Sequence, residues 1–185
     1  MFIGVVGRIA SGKEVFAEYL IQKHGFVSFS LSTILHHELK KRKVKKFTRE
    51  TLQDIGDELR RRYGEAVLAK KAVAILKKDH KQFIITGIRN PAEIKFLRKL
   101  PNFILVAIKT DQKIRFKRLL KRAKPWDPKN WSEFLVIDRR DKGIGQKKSG
   151  QQVGKCIKLA DYSLANDTGM KSFHLKIKRL YQKLT

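Results

Sequence analysis

The chain has 185 residues, 42% of them hydrophobic, with 43 Lys and Arg against 17 Asp and Glu for a formal charge of +26. That length and apolar content suit one folded domain rather than a disordered tail. No apolar run nears the roughly 20 residues of a membrane helix, and Cys156, the single cysteine, rules out an internal disulfide. So positive a field attracts polyanions, nucleic acid among them, unless it belongs only to solvated helix faces.

The start, Met1 to Gly4, lacks a basic leader and runs directly into a strand pattern. A cytoplasmic setting without a signal peptide is therefore expected. The strand pattern, Phe2–Gly7, opens into GVVGRIASGKEVFAEYL, Gly4 to Leu20. Gly7, four intervening residues and then Gly12-Lys13 is the spacing of a phosphate loop (a Walker A sequence). It lies between a strand and a helix expected over Lys13–Lys23, the context that gives the spacing meaning. The glycines would let backbone N–H groups converge on phosphate oxygens, with the helix N-terminus adding its dipole. Gly7, Arg8, Ile9, Ala10, Ser11, Gly12, Lys13 and Glu14 are the candidate nucleotide-binding residues, Lys13 reaching the β- and γ-phosphates. The residue after Lys13 should be Ser or Thr to hold magnesium; here it is Glu14. A carboxylate there repels phosphates unless a cation intervenes, so Glu14 either meets Mg2+ through water or turns away.

Further strands are expected at Phe26–Phe29, Phe83–Gly87, Phe103–Ile108 and Tyr162–Ala165. Helices are expected at Thr33–Lys43, at Thr48–Tyr63, and from Gly64 through Lys78. Asn90-Pro91-Ala92-Glu93 is a helix start, with a cap, a first-turn proline and an acid at the third position. Thr110-Asp111 opens a helix carrying Arg115, Arg118 and Arg122, whose Ile114, Phe116, Leu119 and Leu120 must bury one side. Between Ala123 and Gly150 the pattern loosens around one short helix, Ser132–Arg140, and Lys171–Leu184 closes the chain. Near-continuous apolar strands alternating with amphipathic helices predict an α/β fold with a parallel sheet.

Carried by GVVGRIASGKEVFAEYL, FSLSTILHHELKKR, FIITGIRNPAEIKFLRKL, DRRDKGIG and GQQVGKCIKLADYSLANDTG, the chain resembles a P-loop nucleotide kinase of the adenylate kinase and dephospho-coenzyme A kinase group. It is most similar to compact archaeal and bacterial proteins known as dephospho-coenzyme A kinase-like or AAA-family ATPases. The resemblance covers nearly the whole chain. It implies a three-layer fold with a five-stranded parallel sheet in the order 2-3-1-4-5. It also implies acceptor-binding helices over 30–78 and a short basic lid over 118–150 within a single domain, 1–185. ATP and Mg2+ are the implied cofactors and a nucleotide the implied acceptor. Ser30, Ser32, His36 and Arg89 fall where such kinases bind the acceptor. Lys13, Arg89, Arg118, Arg122 and Arg139 are the implied catalytic cations, Arg140 being a further lid candidate. The family's acid, arginine and acid are replaced here by Thr33, His36 and Thr86.

Phosphoryl transfer needs alignment and positive charge more than a strong base. With those carboxylates gone, Glu14, Asp54, Asp57 and Asp138 remain as acids that might approach, Asp54 and Asp57 being expected on a solvated face. The reading is an ATP-binding phosphotransferase acting on a nucleoside or deoxynucleoside monophosphate in preference to dephospho-coenzyme A. The alternative is a catalytically weak nucleotide-binding protein whose basic surface holds RNA, DNA or a ribonucleoprotein. His36-His37 has no partner at zinc-ligand spacing, Trp126 and Trp131 are expected to pin a loop, and Cys156 to face a core. The oligomeric state is left open.

Overall fold

In the computed structural model, which describes residues 1–76 and 82–185, five strands form one sheet ordered β2-β3-β1-β4-β5. β1 (Phe2–Val6), β3 (Phe83–Thr86) and β4 (Phe103–Lys109) make its centre, flanked by β2 (Val27–Ser30) and β5 (Tyr162–Ala165). Every pairing is parallel, and Val5 sits level with Thr86 on one side and Val106 on the other. The central strands are buried almost throughout, whereas β2 and β5 alternate with exposed residues. Continuous apolar runs therefore mark the strands covered on both faces.

α1 (Lys13–His24) and α9 (Met170–Leu184) cover one face, where Phe16 and Leu20 pack with Phe173 and Ile177 over Val5 and Ile84. The other face carries α2 (Leu31–Lys41), α3 (Arg49–Tyr63), α4 (Val67–Leu76), α5 (Pro91–Leu97) and α8 (Val153–Lys158). Leu31, Leu35, Leu39, Leu59, Ala72 and Cys156 belong to its core. Burial of each leucine contributes about 2 kcal/mol by area. α6 (Gln112–Arg122) and α7 (Trp131–Lys142) share a third cluster in which Leu119 and Phe134 enclose Ile9. The glycine loop and the lid segment are thus built on one small core.

The Asn90 start of α5 forms as expected: its side chain accepts the Ala92 N–H while Glu93 accepts the Asn90 N–H. α2 begins at Leu31, two residues before the sequence pattern predicts, because Ser30 ends β2 in extended backbone and starts the helix directly. α7 extends past the expected Arg140 to Lys142, and α8 was not foreseen. The expected end of the fourth helix at Lys78 lies outside the described residues, which stop at Leu76 there. On α6, Leu120 is exposed and Arg115 takes the buried place beside Leu119. Arg115 tolerates burial because Asp138 and the Ile9 carbonyl accept its N–H groups.

Candidate phosphate-binding cleft

The loop between β1 and α1 owes its shape to two glycines. A Cβ on Gly7 would lie 2.6 Å from the Ile108 carbonyl oxygen, so only glycine lets the loop pass the end of β4. Gly12 turns the chain into α1 at φ 100°, in the left-handed region. Its neighbour carbonyl, Ser11 O, is held by Asn166 Nδ2 at 2.8 Å and by Thr110 Oγ1 at 2.9 Å, anchoring the loop to the ends of β5 and β4. Lys13 folds over the loop, donating to Gly7 O at 2.8 Å and Arg8 O at 2.9 Å. An ammonium has three N–H groups, so one remains. Burial pulls the Lys13 pKa down to about 8, with Arg89 pushing the same way and Glu14 opposing.

Around Lys13 lies a cleft of about 50 Å³ lined by Ile9, Ala10, Glu14, Ser30, Ser32, Arg49, Thr86, Gly87, Arg89 and Arg122. Ligand pockets usually span about 300–1,000 Å³, so a nucleoside needs this one to open, while a phosphoryl group matches its size. Glu14 is exposed at the rim. Partial burial works against its ionisation, but Lys13 and Arg122 outweigh this and hold the carboxyl below its ordinary value. The Ser30 and Ser32 hydroxyls bond each other at 2.8 Å.

The lid segment meets the loop through acids, not through free arginines. Asp138 and Asp141 project from one side of α7, both almost fully buried. Asp138 pairs with Arg115 at 2.6 Å and Arg8 at 2.8 Å. Burial would raise its pKa, but these guanidiniums keep it low. Arg8 also donates to the Asp138 carbonyl. Asp141 accepts the Ile9 N–H at 3.3 Å and binds Arg89 Nη1 at 2.5 Å. Arg89 donates also to Gln151 Oε1, and its backbone N–H to Glu93. Glu93 is in turn fully buried against Arg60.

The candidate residues divide. Ile9, Ala10, Lys13, Glu14, Ser30, Ser32, Arg89 and Arg122 meet at the cleft, with Gly7 and Gly12 shaping its floor. Arg8 turns to α7, and the Ser11 hydroxyl is buried without a hydrogen-bond partner among the described residues. Arg118 reaches the Asn166 carbonyl at 2.8 Å, beside the loop where Asn166 also holds Ser11; its Nη1 has no hydrogen-bond partner among the described residues. His36 is not brought into the cleft. Its ring packs against Phe47 and Trp126, each with centroids 5.3 Å away, so Trp126 pins the loop. Arg139 is exposed and lines a different cleft, next to Arg8 and Lys142. Arg140 ties α7 to Asp54 and Asp57 of α3, and Asp57, expected on a solvated face, is half-buried in that pairing.

Arg49, Asp127 and Asp141 went unnoticed in the sequence, and Asn166 stood there only in the closing-strand motif, without a role at the loop. Asp127 pairs with both Arg49 and Arg122 at 2.8 Å. Asp141 had a signal of its own: three residues after Asp138 it shares a helix face. Arg49 and Asp127 lie far apart in the chain and had none.

No family model matches this chain. It is similar to a UPF0200 protein of Hyperthermus butylicus, 30% identical over 186 residues that cover 100% of this chain and 95% of that protein. Among solved structures, it is similar to shikimate kinase of Acinetobacter baumannii in complex with shikimate, at TM-score 0.62 and 14% identity over 98% of this chain and 93% of that one. Dephospho-CoA kinase of Campylobacter jejuni superposes at TM-score 0.52 and 19% identity, over 100% and 97% of the two chains. The sheet order and the helices on both its sides are those of the P-loop kinase fold.

Proposed function

Because the chain belongs to the UPF0200 family and has the fold of P-loop kinases, we propose that it is an ATP-binding phosphotransferase whose acceptor is a nucleotide, a nucleoside or deoxynucleoside monophosphate ahead of dephospho-coenzyme A. The observation that carries this reading is Lys13, laid across the loop on Gly7 O and Arg8 O with one N–H left for the cleft it lines. The phosphates of ATP suit the residues present, although the cleft must open to admit the nucleoside. The loop amides and Lys13 would hold the β- and γ-phosphates, while Asn166, itself bonded by Arg118, would keep the loop in place through the Ser11 carbonyl. Mg2+ would supply charge neutralisation on the phosphates, and Glu14, the carboxylate among the residues that line the cleft, offers the oxygen donor that such a hard cation takes.

Arg122 and Arg89 line the same cleft and in this reading would supply positive charge to the transferring group's oxygens, which is most of what a loose transition state asks. In this reading the lid segment, packed on the glycine loop through Leu119, Phe134 and Ile9, would limit access of water to the phosphates and favour transfer over hydrolysis. Ser30 and Ser32 stand on the acceptor side, and Thr86 leaves no carboxylate at the end of β3.

Coupled measurement of ADP release across a panel of monophosphates tests this. Turnover that depends on one acceptor and disappears in Lys13→Ala supports the reading; its absence with every acceptor sinks it. One observation favours a second reading, in which nucleotide binding serves a nucleic-acid partner. The charge is +26, and among the described residues ten of the acids are already engaged in ion pairs, so few remain to balance the basic surface. RNA binding that falls steeply with salt, with no acceptor dependence, would favour that alternative.

A further inference from the structure

We propose that Arg49, at the start of α3, grips the phosphate of the acceptor, and that Asp127 is the counterion it holds until that phosphate arrives. The assignment rests on the phosphotransferase reading. An acceptor phosphate needs guanidiniums beside Arg89, and His36 cannot supply one, being an imidazole packed against Phe47 and Trp126. Arg49 enters the same cleft from the next helix. Its backbone is set by Thr48, whose hydroxyl accepts the Thr51 N–H and so fixes the direction in which α3 begins. The side chain then lines the cleft together with Lys13, Ser30, Ser32, Arg89 and Arg122.

Two features mark Arg49 as a group prepared for an anion rather than as a finished structural ion pair. Its Nε is buried and has no hydrogen-bond partner among the described residues, although Nη2 reaches Asp127 at 2.8 Å. And Asp127 is shared: the same carboxylate takes Arg122 Nε at 2.8 Å and Arg122 Nη2 at 2.9 Å. A single negative charge thus serves two guanidiniums, with Arg89 and Lys13 close by. Burial, with repulsion from Arg89 and Arg122, depresses the Arg49 pKa despite Asp127, so the cleft is short of negative charge. A phosphate carries about −1.5 to −2 at pH 7 and three acceptor oxygens. It would satisfy both guanidiniums and the bare Nε better than one carboxylate, and a cavity of about 50 Å³ admits it.

The test is calorimetric titration of the full-length chain, saturated with ADP, with inorganic phosphate. The wild type should take up phosphate. Arg49→Ala should weaken that uptake at least tenfold while ADP affinity stays within twofold, and Arg49→Lys should fall between. Asp127→Asn should tighten phosphate binding, because the competing anion is gone. If Arg49→Ala leaves a carboxylate too exposed to fold around, Arg49→Ala with Asp127→Asn removes that strain and should show the same loss. Unchanged phosphate binding in Arg49→Ala overturns the assignment, as does a parallel loss of ADP, or weaker phosphate binding in Asp127→Asn. A wild type that ignores ADP would instead sink the phosphotransferase reading. Phosphate uptake that survives Lys13→Ala but not Arg49→Ala would then still support the role of Arg49, and no uptake at all would overturn it.

Discussion

Asp141 joins Arg89 and Ile9: one oxygen lies 2.5 Å from Arg89 Nη1, and the other accepts the Ile9 backbone N–H at 3.3 Å. The last turn of α7 is therefore tied at once to the glycine loop and to the segment following β3. A basic lid that only closes over bound nucleotide would not need this. The carboxylate instead braces the loop in the conformation that Lys13 crosses, and turns Arg89 toward the cleft.

Asp141→Ala should therefore cost about 3–5 kcal/mol, the range for leaving a buried charge without its partner. Asp141→Asn, which keeps the shape, should cost less and still weaken ADP binding about tenfold, since Arg89 and the loop lose their common anchor. Urea unfolding and calorimetry measure the two effects separately. ADP affinity equal to wild type in Asp141→Asn would mean the brace is irrelevant to the loop.

The depressed Lys13 pKa sets a pH dependence with a definite sign. The folded group has a pKa of about 8 against an ordinary lysine value of 10.5. Between those values the unfolded chain binds more protons, so stability rises with pH through that window. Below pH 8 the folded protein carries the full cost of a buried ammonium, about 3 kcal/mol. Lys13→Met should therefore be more stable than wild type at pH 7, and the two should converge as pH approaches 10.5. Bound ADP, by pairing the ammonium, should abolish the difference in slope. Thermal unfolding from pH 6.5 to 10, with and without ADP, reads this directly.

Much of this fold was legible in the chain because local chemistry and final packing agree. Phe83, Ile84 and Ile85 are apolar and buried, and Thr86 at the strand's end is buried too; Asn90, Pro91 and Glu93 name a helix start, and all three serve it. The glycine spacing located the loop for the same reason. Roles set by distant partners left weaker traces. Arg49 and Asp127 are 78 residues apart, and nothing in KKFTRE or KPWDPK shows that they pair. His36 looked like an acceptor residue by position, but Phe47 and Trp126 claim its ring. Arg139 and Arg140 are neighbours in sequence, yet a helix sends one to solvent and the other to Asp57.

Glu93 extends that point to stability. It is fully buried, accepts the backbone N–H groups of Arg89 and Asn90, and pairs with Arg60 Nε at 2.9 Å. Glu93→Ala would leave the buried Arg60 guanidinium with its longer 3.4 Å contact to Asp57 and free two amides, and a loss of about 3–5 kcal/mol is expected. Glu93→Gln keeps one acceptor oxygen and should lose less. Because the Arg89 N–H is one of the amides freed, phosphate binding should weaken in Glu93→Gln even where the protein stays folded. Denaturation midpoints compared with phosphate titration at low denaturant would reveal whether both losses occur.

The residue after Lys13 gives the sharpest test of magnesium use. Glu14 stands at the rim of the cleft, held ionised by Lys13 and Arg122 against the effect of partial burial. In a chelator, its charge opposes an incoming triphosphate, and Glu14→Gln should raise ATP affinity about tenfold, roughly 1.4 kcal/mol. With magnesium present the cation lies between the two anions, and the same substitution should help little or reduce binding. The gap between the two titrations thus reports whether the carboxylate faces the metal. Equal gains with and without magnesium would place Glu14 as a simple repulsive charge. No gain in either would turn its side chain away from the phosphates and return it to the first turn of α1.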